Sequence, residues 1–281
     1  MAILLILMAS GSMLGKEVNG SKNWISVAGY SFQPSEFGKL LLVAYLASAF
    51  RKYKSFINLI EPAFVVLFCL GFLVIQKDLG SALIFFSISI TMLYIATSKS
   101  KYIWICGILF AVGCIVSYKL FGHVRLRVMI WQDLWKYANN QSYQVVQSLF
   151  AIASGGLFGS GLGLGFPNFV PVRTTDFIFS AICEEMGMLV GLGIIIFQFL
   201  LFYRCMRAAV FVENKFSRLI AVGYGTMFAT QVLVIVGGVV NMIPLTGITL
   251  PLISYGGSSM LISFCALGIV QKISEDGNNY E

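Results

Sequence analysis

Residues 79–121 read LGSALIFFSISITMLYIATSKSKYIWICGILFAVGCIVSYKLF. Two apolar runs, 79–97 and 102–121, are joined by a turn that carries Lys99 and Lys101. Each run has the length that a helix needs to cross the hydrocarbon core of a bilayer, about 20 residues. A basic turn between two such runs is typical of a membrane hairpin whose loop lies in the cytoplasm.

The rest of the 281-residue chain repeats this pattern. It is 58% hydrophobic and 11% charged, whereas soluble domains carry about 25% charged residues. We therefore predict an all-α fold, a polytopic transmembrane helix bundle that forms a single membrane domain over residues 1–281. About eight apolar helices are expected, the first of them short for a complete span: 2–14, 35–50, 56–75, 79–97, 102–121, 177–203, 217–240 and 252–271.

The charges of the connecting segments predict the topology. Segments rich in Lys and Arg are expected in the cytoplasm, together with the C-terminus. The segments 16–34, 76–78, 122–176 and 241–251 then face outward. The net charge of +7 is interpreted as a topology signal and as contacts to membrane lipids, and no nucleic-acid partner is expected.

The long loop 122–176 is half apolar and rich in glycine between 141 and 165. It is too polar to span the membrane alone, so we predict an interfacial or re-entrant helix near 142–153. Irregular backbone at membrane depth is tolerated only where protein or water satisfies its polar groups. This loop therefore indicates a lined cavity.

The loop ends in the sequence RTTDFIF, 173–179, with Asp176 at the mouth of a membrane helix. Asp176 is either a helix N-cap or a general base at the membrane surface, and the two interpretations are compatible. Ser180 and Glu184 follow at intervals of four and share its helix face. Glu184 and its neighbour Glu185 either face a cavity or pair structurally, because a carboxylate is costly in a membrane.

Two further outward helix ends carry charges. Glu36 and Lys39 are three residues apart and form either an intrahelical ion pair or part of a polar cavity where Lys39 meets phosphate. Asp78 is either an N-cap or a third cavity carboxylate.

The outward cations Arg125, Arg127 and Arg173 lie near the long loop. Arginine pairs bidentately with phosphate, so they either anchor lipid head groups or bind a phosphorylated substrate.

These clusters together resemble one family closely, the SEDS family of bacterial membrane proteins, which includes FtsW, RodA and SpoVE. The resemblance covers about residues 19–270 and keeps the family's order of motifs. The matching stretches are NGSKNW, FQPSEFGKL, QKDLG, YQVVQSLFAIASGGLFGSGLG, TTDFIFSAICEEMG and NMIPLTGITLPLISYGGSSM.

The resemblance implies a peptidoglycan glycosyltransferase that polymerises lipid II at the outer face of the bacterial cytoplasmic membrane, in cell division or in cell-shape (elongation) synthesis. It implies a class B penicillin-binding protein as partner. It puts the essential aspartate on Asp176 and cavity roles on Glu36, Lys39 and Asp78. The charge of a leaving pyrophosphate needs cations, for which Lys39, Arg125, Arg127 and Arg173 are the candidates. Further supporting positions in the cavity are expected at Gln147, Glu184, Glu185 and Ser254.

A divalent cation, Mg²⁺ or Mn²⁺, is expected as a possible cofactor for the pyrophosphate, with Glu36 and Asp78 as its possible ligands. Two alternatives stay open: a lipid II flippase, and a noncatalytic scaffold for the penicillin-binding protein. A flippase should carry polar groups along a path through the bilayer, whereas these gather at the outward helix ends.

The chain departs from the family pattern in three ways. It is expected to begin inside the family's third span, two helices short of the usual ten. Thr174 stands where the family often has histidine, and Lys77 stands in place of the proline of the QPDLG motif. Neither of these substitutions replaces a carboxylate.

Overall fold

The computed structural model describes residues 1–18, 21–27, 30–166 and 169–278. Asn19 and Gly20 of the NGSKNW motif lie outside them. The described residues form eleven α-helices: α1 (Ala2–Leu14), α2 (Pro34–Arg51), α3 (Ile60–Ile75), α4 (Leu79–Thr97), α5 (Lys101–Leu120), α6 (Gly122–Gln132), α7 (Tyr143–Gly155), α8 (Ile178–Met186), α9 (Met188–Phe211), α10 (Lys215–Val239) and α11 (Gly257–Asn278). Short 3-10 turns occupy Phe56–Leu59 and Trp135–Tyr137.

Six segments of the described chain are long and apolar enough to cross a membrane: Phe56–Ile75, Leu79–Thr97, Lys101–Leu120, Met188–Phe211, Lys215–Val239 and Gly257–Gly277. The apolar run Ala2–Gly11 is shorter, as the sequence indicates. In α5 none of the apolar window is buried inside the protein, whereas 78% of the window in α10 is buried. An apolar helix with no protein around it needs lipid around it, so the predicted class of helical membrane protein is confirmed.

Three short strands precede α2 and are an addition to the predicted all-helical fold. They are β1 (Lys16–Val18), β2 (Ser21–Val27) and β3 (Tyr30–Phe32), paired antiparallel in the order β1-β2-β3. In the strand register, Lys22 lies opposite Glu17 and Ile25 lies opposite Phe32. The described part of the loop predicted at 16–34 is therefore a small antiparallel sheet that precedes α2.

The described chain divides into two compact units. The first comprises Met1–Leu109, Leu201–Thr230 and Gly257–Glu281, and the second comprises Phe110–Leu200 and Gln231–Gly256. The prediction of a single domain stays a prediction.

In the first unit, α1 packs against α2 and α3. Gly38 of α2 permits the close approach, since a Cβ there would lie 2.9 Å from the sulfur of Met8 and 3.0 Å from the ring of Phe85. Met8 of α1 and Phe85 of α4 are both fully buried, so α1 and α4 cover the face of α2 at Gly38.

In the second unit, α7 packs tightly on α8. A Cβ on Gly155 would collide with the carbonyl oxygen of Cys183, so only glycine permits this approach. The hydroxyl oxygens of Ser148 and Ser180 lie 2.6 Å apart across the interface. The helix predicted near 142–153 is present as α7, whereas the block predicted as one span at 177–203 is broken at Gly187, where φ is 86°.

Candidate active site

Asp176 lies in the turn that precedes α8. The N-cap of α8 is Phe177, and no side chain caps this helix end. The N-cap interpretation of Asp176 is therefore wrong, and its carboxylate is available to other groups. Asp176 is half-buried.

A second loop, 241–256, fixes the turn that carries Asp176. The Ser254 hydroxyl donates a hydrogen bond of 2.6 Å to the carbonyl of Thr175 and accepts one of 2.8 Å from the backbone N–H of Leu250. The N–H of Tyr255 donates to the carbonyl of Thr174 over 2.8 Å. Ser254 is buried, so these bonds stabilise the two loops against each other away from competing water.

The backbone of this loop passes close to the Asp176 carboxylate. Gly247 has a φ of +72°, and a Cβ built there would lie 3.4 Å from Oδ2 of Asp176. Glycine adopts this left-handed conformation without the steric penalty that other residues meet. A side chain at position 247 would therefore reach van der Waals contact with the Asp176 carboxylate.

Arg127 of α6 holds the same loop. Its Nη1 donates to the carbonyls of Leu245 and Thr246 over 3.2 and 3.3 Å. Burial raises the pKa of Asp176 above the usual range of a carboxyl, while a hydrogen bond from Thr175 and the positive charge of Arg127 oppose part of this rise. A carboxylate with a raised pKa is a stronger base, which is the property that proton abstraction needs.

The other predicted cations have different surroundings. Arg125 is exposed, donates to the Lys119 carbonyl over 3.4 Å and lies 5.7 Å from the centre of the Tyr118 ring. Arg173 is half-buried and lies in the same turn as Asp176, three residues before it. Pyrophosphate binding by these residues stays a prediction.

Glu184 organises the glycine-rich loop that follows α7. Its Oε1 accepts a hydrogen bond of 2.8 Å from the backbone of Phe166, and its own carbonyl accepts from the N–H and hydroxyl of Ser160. The neighbouring Glu185 is half-buried, and its carbonyl accepts from the N–H of Gly161 over 3.0 Å. Gln147 is half-buried on α7. These contacts are consistent with supporting roles.

The first unit contains a separate polar cluster. Nζ of Lys39 lies 2.7 Å from Oε1 of Glu36, and their side chains are only 1% and 7% exposed. The ion-pair interpretation therefore describes these two residues. The Lys39 charge is already neutralised by Glu36, and a phosphate role for Lys39 stays a prediction.

Asp78 lies in this first-unit cluster and caps α4. Its Oδ1 accepts from the N–H of Ser81 over 3.0 Å, and its Oδ2 accepts from Gln33 and the Ser35 hydroxyl, each over 3.2 Å. Lys77, in place of the proline of the motif, has a φ of 61°. Proline, whose φ is fixed near −65°, does not fit this conformation, so a proline at position 77 would require a different local backbone.

The described residues contain no group of three or more His, Cys, Asp or Glu side chains that could hold a metal ion. Oε1 of Glu36 is paired with Lys39, and both oxygens of Asp78 accept hydrogen bonds. The divalent cation and its ligands Glu36 and Asp78 stay a prediction.

Sequence reasoning gave no role to Thr246, Gly247 or Trp131. The first two lie inside the matching stretch 241–260, where a Thr-Gly pair after Pro244 signals a turn. Their position against Asp176 depends on contacts more than seventy residues apart in the chain, which no local pattern encodes.

The fold and this geometry define a polytopic helical membrane protein in which a half-buried carboxylate with a raised pKa lies between two loops. A family model described as "Cell cycle protein" and comprising FtsW, RodA and SpoVE matches residues 1–279. The chain belongs to this family.

The names of similar proteins agree with this family assignment. The peptidoglycan glycosyltransferase RodA of Mycobacterium tuberculosis strain H37Rv is 38% identical over 276 residues, which are 92% of this chain and 58% of that protein. Stage V sporulation protein E of Bacillus subtilis strain 168 is 34% identical over 275 residues, which are 93% of this chain and 73% of that protein. The chain thus spans less than two thirds of the length of its mycobacterial relatives.

Solved structures share the fold. A chain from a structure described as the coordination of polymerization and crosslinking by a peptidoglycan synthase complex matches with a TM-score of 0.81, 28% identity, 98% of this chain and 80% of that chain. The rod shape determining protein RodA of Thermus thermophilus matches with a TM-score of 0.68, 28% identity, 98% of this chain and 76% of its own.

Proposed function

We propose that this chain is a peptidoglycan glycosyltransferase that polymerises lipid II into glycan strands at the outer face of the bacterial cytoplasmic membrane. The carrying observation is the Asp176 carboxylate, which is half-buried, has a raised pKa and lies close to Gly247 of the loop 241–256. The names of the relatives support the same activity.

In the proposed reaction, Asp176 accepts the proton of the acceptor sugar hydroxyl as that oxygen attacks the anomeric carbon of the donor. A new C–O glycosidic bond forms, and the bond from the anomeric carbon to the lipid pyrophosphate breaks. The pyrophosphate leaves as an anion and needs no proton. Of the predicted cations, Arg173 is nearest to Asp176 in the sequence and lies in the same turn. We assign it the stabilisation of this anion.

Arg127 has a positioning role in this proposal. Its guanidinium holds the carbonyls of Leu245 and Thr246 and so keeps the loop against Asp176. Its charge also limits the rise in the pKa of Asp176, which keeps the carboxylate ionised over more of the working pH range.

A class B penicillin-binding protein is the proposed partner, because the matching synthase-complex structure is described as coordinating polymerization with crosslinking. We place the C-terminus in the cytoplasm, since the basic loops, among them the segment 204–218, are expected there. The work of the enzyme falls in cell division or in cell-shape synthesis.

The test is polymerisation of lipid II by the full chain purified with its partner. Asp176→Asn should lower the rate by about 10²- to 10⁴-fold, because the amide cannot accept the proton. Asp276→Asn, an exposed carboxylate near the C-terminus paired with Lys272, is the matched control and should keep the wild-type rate.

Equal polymer from Asp176→Asn and wild type would remove the role of Asp176. Lipid II translocation in vesicles without any polymer would favour the flippase. Stimulation of the partner without polymer or translocation would favour the scaffold.

A further inference from the structure

A pocket of about 340 Å³ lies where α6 ends and the loop 241–256 begins. It belongs wholly to the second unit, and the proposed reaction gives it no role. Its polar and aromatic lining residues are Trp131, Gln132, Asp133, Trp135, Lys136 and Asn241.

This pocket is formed in part by α6, the helix that also holds the loop 241–256 next to Asp176. Nε1 of Trp131 donates a hydrogen bond of 3.1 Å to the carbonyl of Asn241. Arg127, four residues earlier on the same helix face, holds Leu245 and Thr246. One face of α6 therefore positions both the pocket wall and the loop that contacts the candidate base.

The pocket offers an aromatic face. The Trp135 side chain is 65% exposed although its ring is steadied by Phe150, with centroids 6.0 Å apart and planes at 47°. The face of an indole carries partial negative charge, so it attracts the weakly positive C–H groups on the flat side of a sugar ring. An exposed indole held in place by a neighbour is suited to such stacking.

Polar side chains surround this face. Asp133, Gln132 and Lys136 are exposed at the pocket and provide carboxylate, amide and ammonium groups. A carboxylate accepts hydrogen bonds from hydroxyl and acetamido N–H groups, and the amide both donates and accepts. Hydroxyls and an acetamide around an apolar ring face are the groups that an N-acetylated sugar presents.

The charges around the pocket argue against a phosphate ligand. The carboxylate of Asp133 would repel an anion. The ammonium of Lys136 lies at a cation–π distance, 5.8 Å, from the centre of the Tyr137 ring, so part of its attraction is already used within the protein. The volume lies near the lower limit of about 300 Å³ for ligand pockets, which suits one ring better than a lipid-linked disaccharide with its pyrophosphate.

We propose that this pocket is a saccharide subsite, which binds one N-acetylated sugar ring by stacking on Trp135 and by hydrogen bonds to Asp133 and Gln132. The inference rests on the proposed function in that the sugar belongs either to the growing strand or to lipid II.

The experiment measures binding of a soluble oligomer of β-linked N-acetylglucosamine, which carries no lipid and no phosphate, to the full chain in lipid nanodiscs. Trp135→Ala should weaken binding about tenfold, because the loss of one aromatic stacking contact removes roughly that factor. Asp133→Asn should also weaken it. Trp104→Ala is the matched control, since Trp104 is a 73% exposed indole on the lipid-facing helix α5, and it should bind as wild type does.

Absence of oligomer binding by the wild-type chain, or equal affinity of the two tryptophan variants, would overturn the inference. Binding of glycerol phosphate in preference to the oligomer would also overturn it and would assign the pocket to lipid head groups.

Binding is measured without turnover, so the outcomes separate the two proposals. If the chain polymerises lipid II but does not bind the oligomer, the proposed function stands and the subsite is refuted. If it binds the oligomer but does not polymerise lipid II, the subsite stands and the proposed function is refuted. In an active enzyme, shorter strands from Trp135→Ala assign the pocket to the growing strand. A raised KM for lipid II with unchanged strand length assigns it to the sugar of lipid II.

Discussion

Replacing Lys39 by methionine removes a buried cation and leaves the carboxylate of Glu36 without its partner. The two charged atoms are 2.7 Å apart, and the Lys39 side chain is 1% exposed. Water has little access to replace the lost ammonium, because the Glu36 side chain left behind is only 7% exposed. The variant should therefore fold less stably.

The magnitude follows from the burial of the pair. Removing one partner of a buried ion pair costs about 3–5 kcal/mol, because an uncompensated charge stays in a medium of low dielectric constant. Replacing both partners, as Glu36→Leu with Lys39→Met, should cost much less, since no charge is left buried. The structure thus predicts a coupling between the two positions of about 3 kcal/mol in a double-mutant cycle.

The assay is reversible unfolding of the purified chain in mixed micelles, followed by circular dichroism for wild type, the two single variants and the double variant. Lys99→Met is the control, because Lys99 is exposed in the turn between α4 and α5. It should change the free energy of unfolding by less than about 0.5 kcal/mol.

Additive effects of the two single substitutions would refute this reasoning, as would a Lys39→Met variant as stable as Lys99→Met. If Lys39→Met kept its stability but lost turnover, the ammonium would serve the substrate rather than the fold.

Three further changes test other contacts. Arg127→Gln should raise the pKa of Asp176 further, so the acidic limb of the pH–activity profile moves to higher pH, because the base works only when ionised. Gly155→Ala should cost about 1–3 kcal/mol or more in unfolding free energy, because the new methyl group forces α7 away from the backbone of α8. Asp78→Ala should cost about 2 kcal/mol by removing the cap at Ser81 and the bonds that Gln33 and Ser35 donate.

Each of these changes has a control or a contrary result. Arg207→Gln, an exposed arginine of α9, should leave the pH profile in place; a shift of the Arg127→Gln profile to lower pH would contradict the charge argument. Gly193→Ala, with open space around its Cβ position, should not destabilise the fold. An Asp78→Ala variant as stable as wild type would show that the cap and its two side-chain bonds contribute nothing.

Much of the fold follows from local pattern. The runs 79–97 and 102–121 are α4 and α5 within one residue at each end, because a helix that crosses lipid must keep an uninterrupted apolar run of sufficient length. The helix near 142–153 was also predictable, because its segment is half apolar but too polar to cross the membrane alone. The break at Gly187 was not, because Met186 and Met188 continue the apolar run on either side.

The candidate site was predictable only in part. The sequence by itself determined that this is a membrane protein, that its charged residues gather at helix ends and that Asp176 heads an apolar helix. Only the tertiary structure decided that Asp176 does not cap that helix, that Arg127 holds backbone carbonyls and that Lys39 is paired and buried. Hydropathy records how each residue partitions between lipid and water. It contains no information on which distant segment supplies the hydrogen-bond partner, and those long-range contacts set the position and basicity of the Asp176 carboxylate.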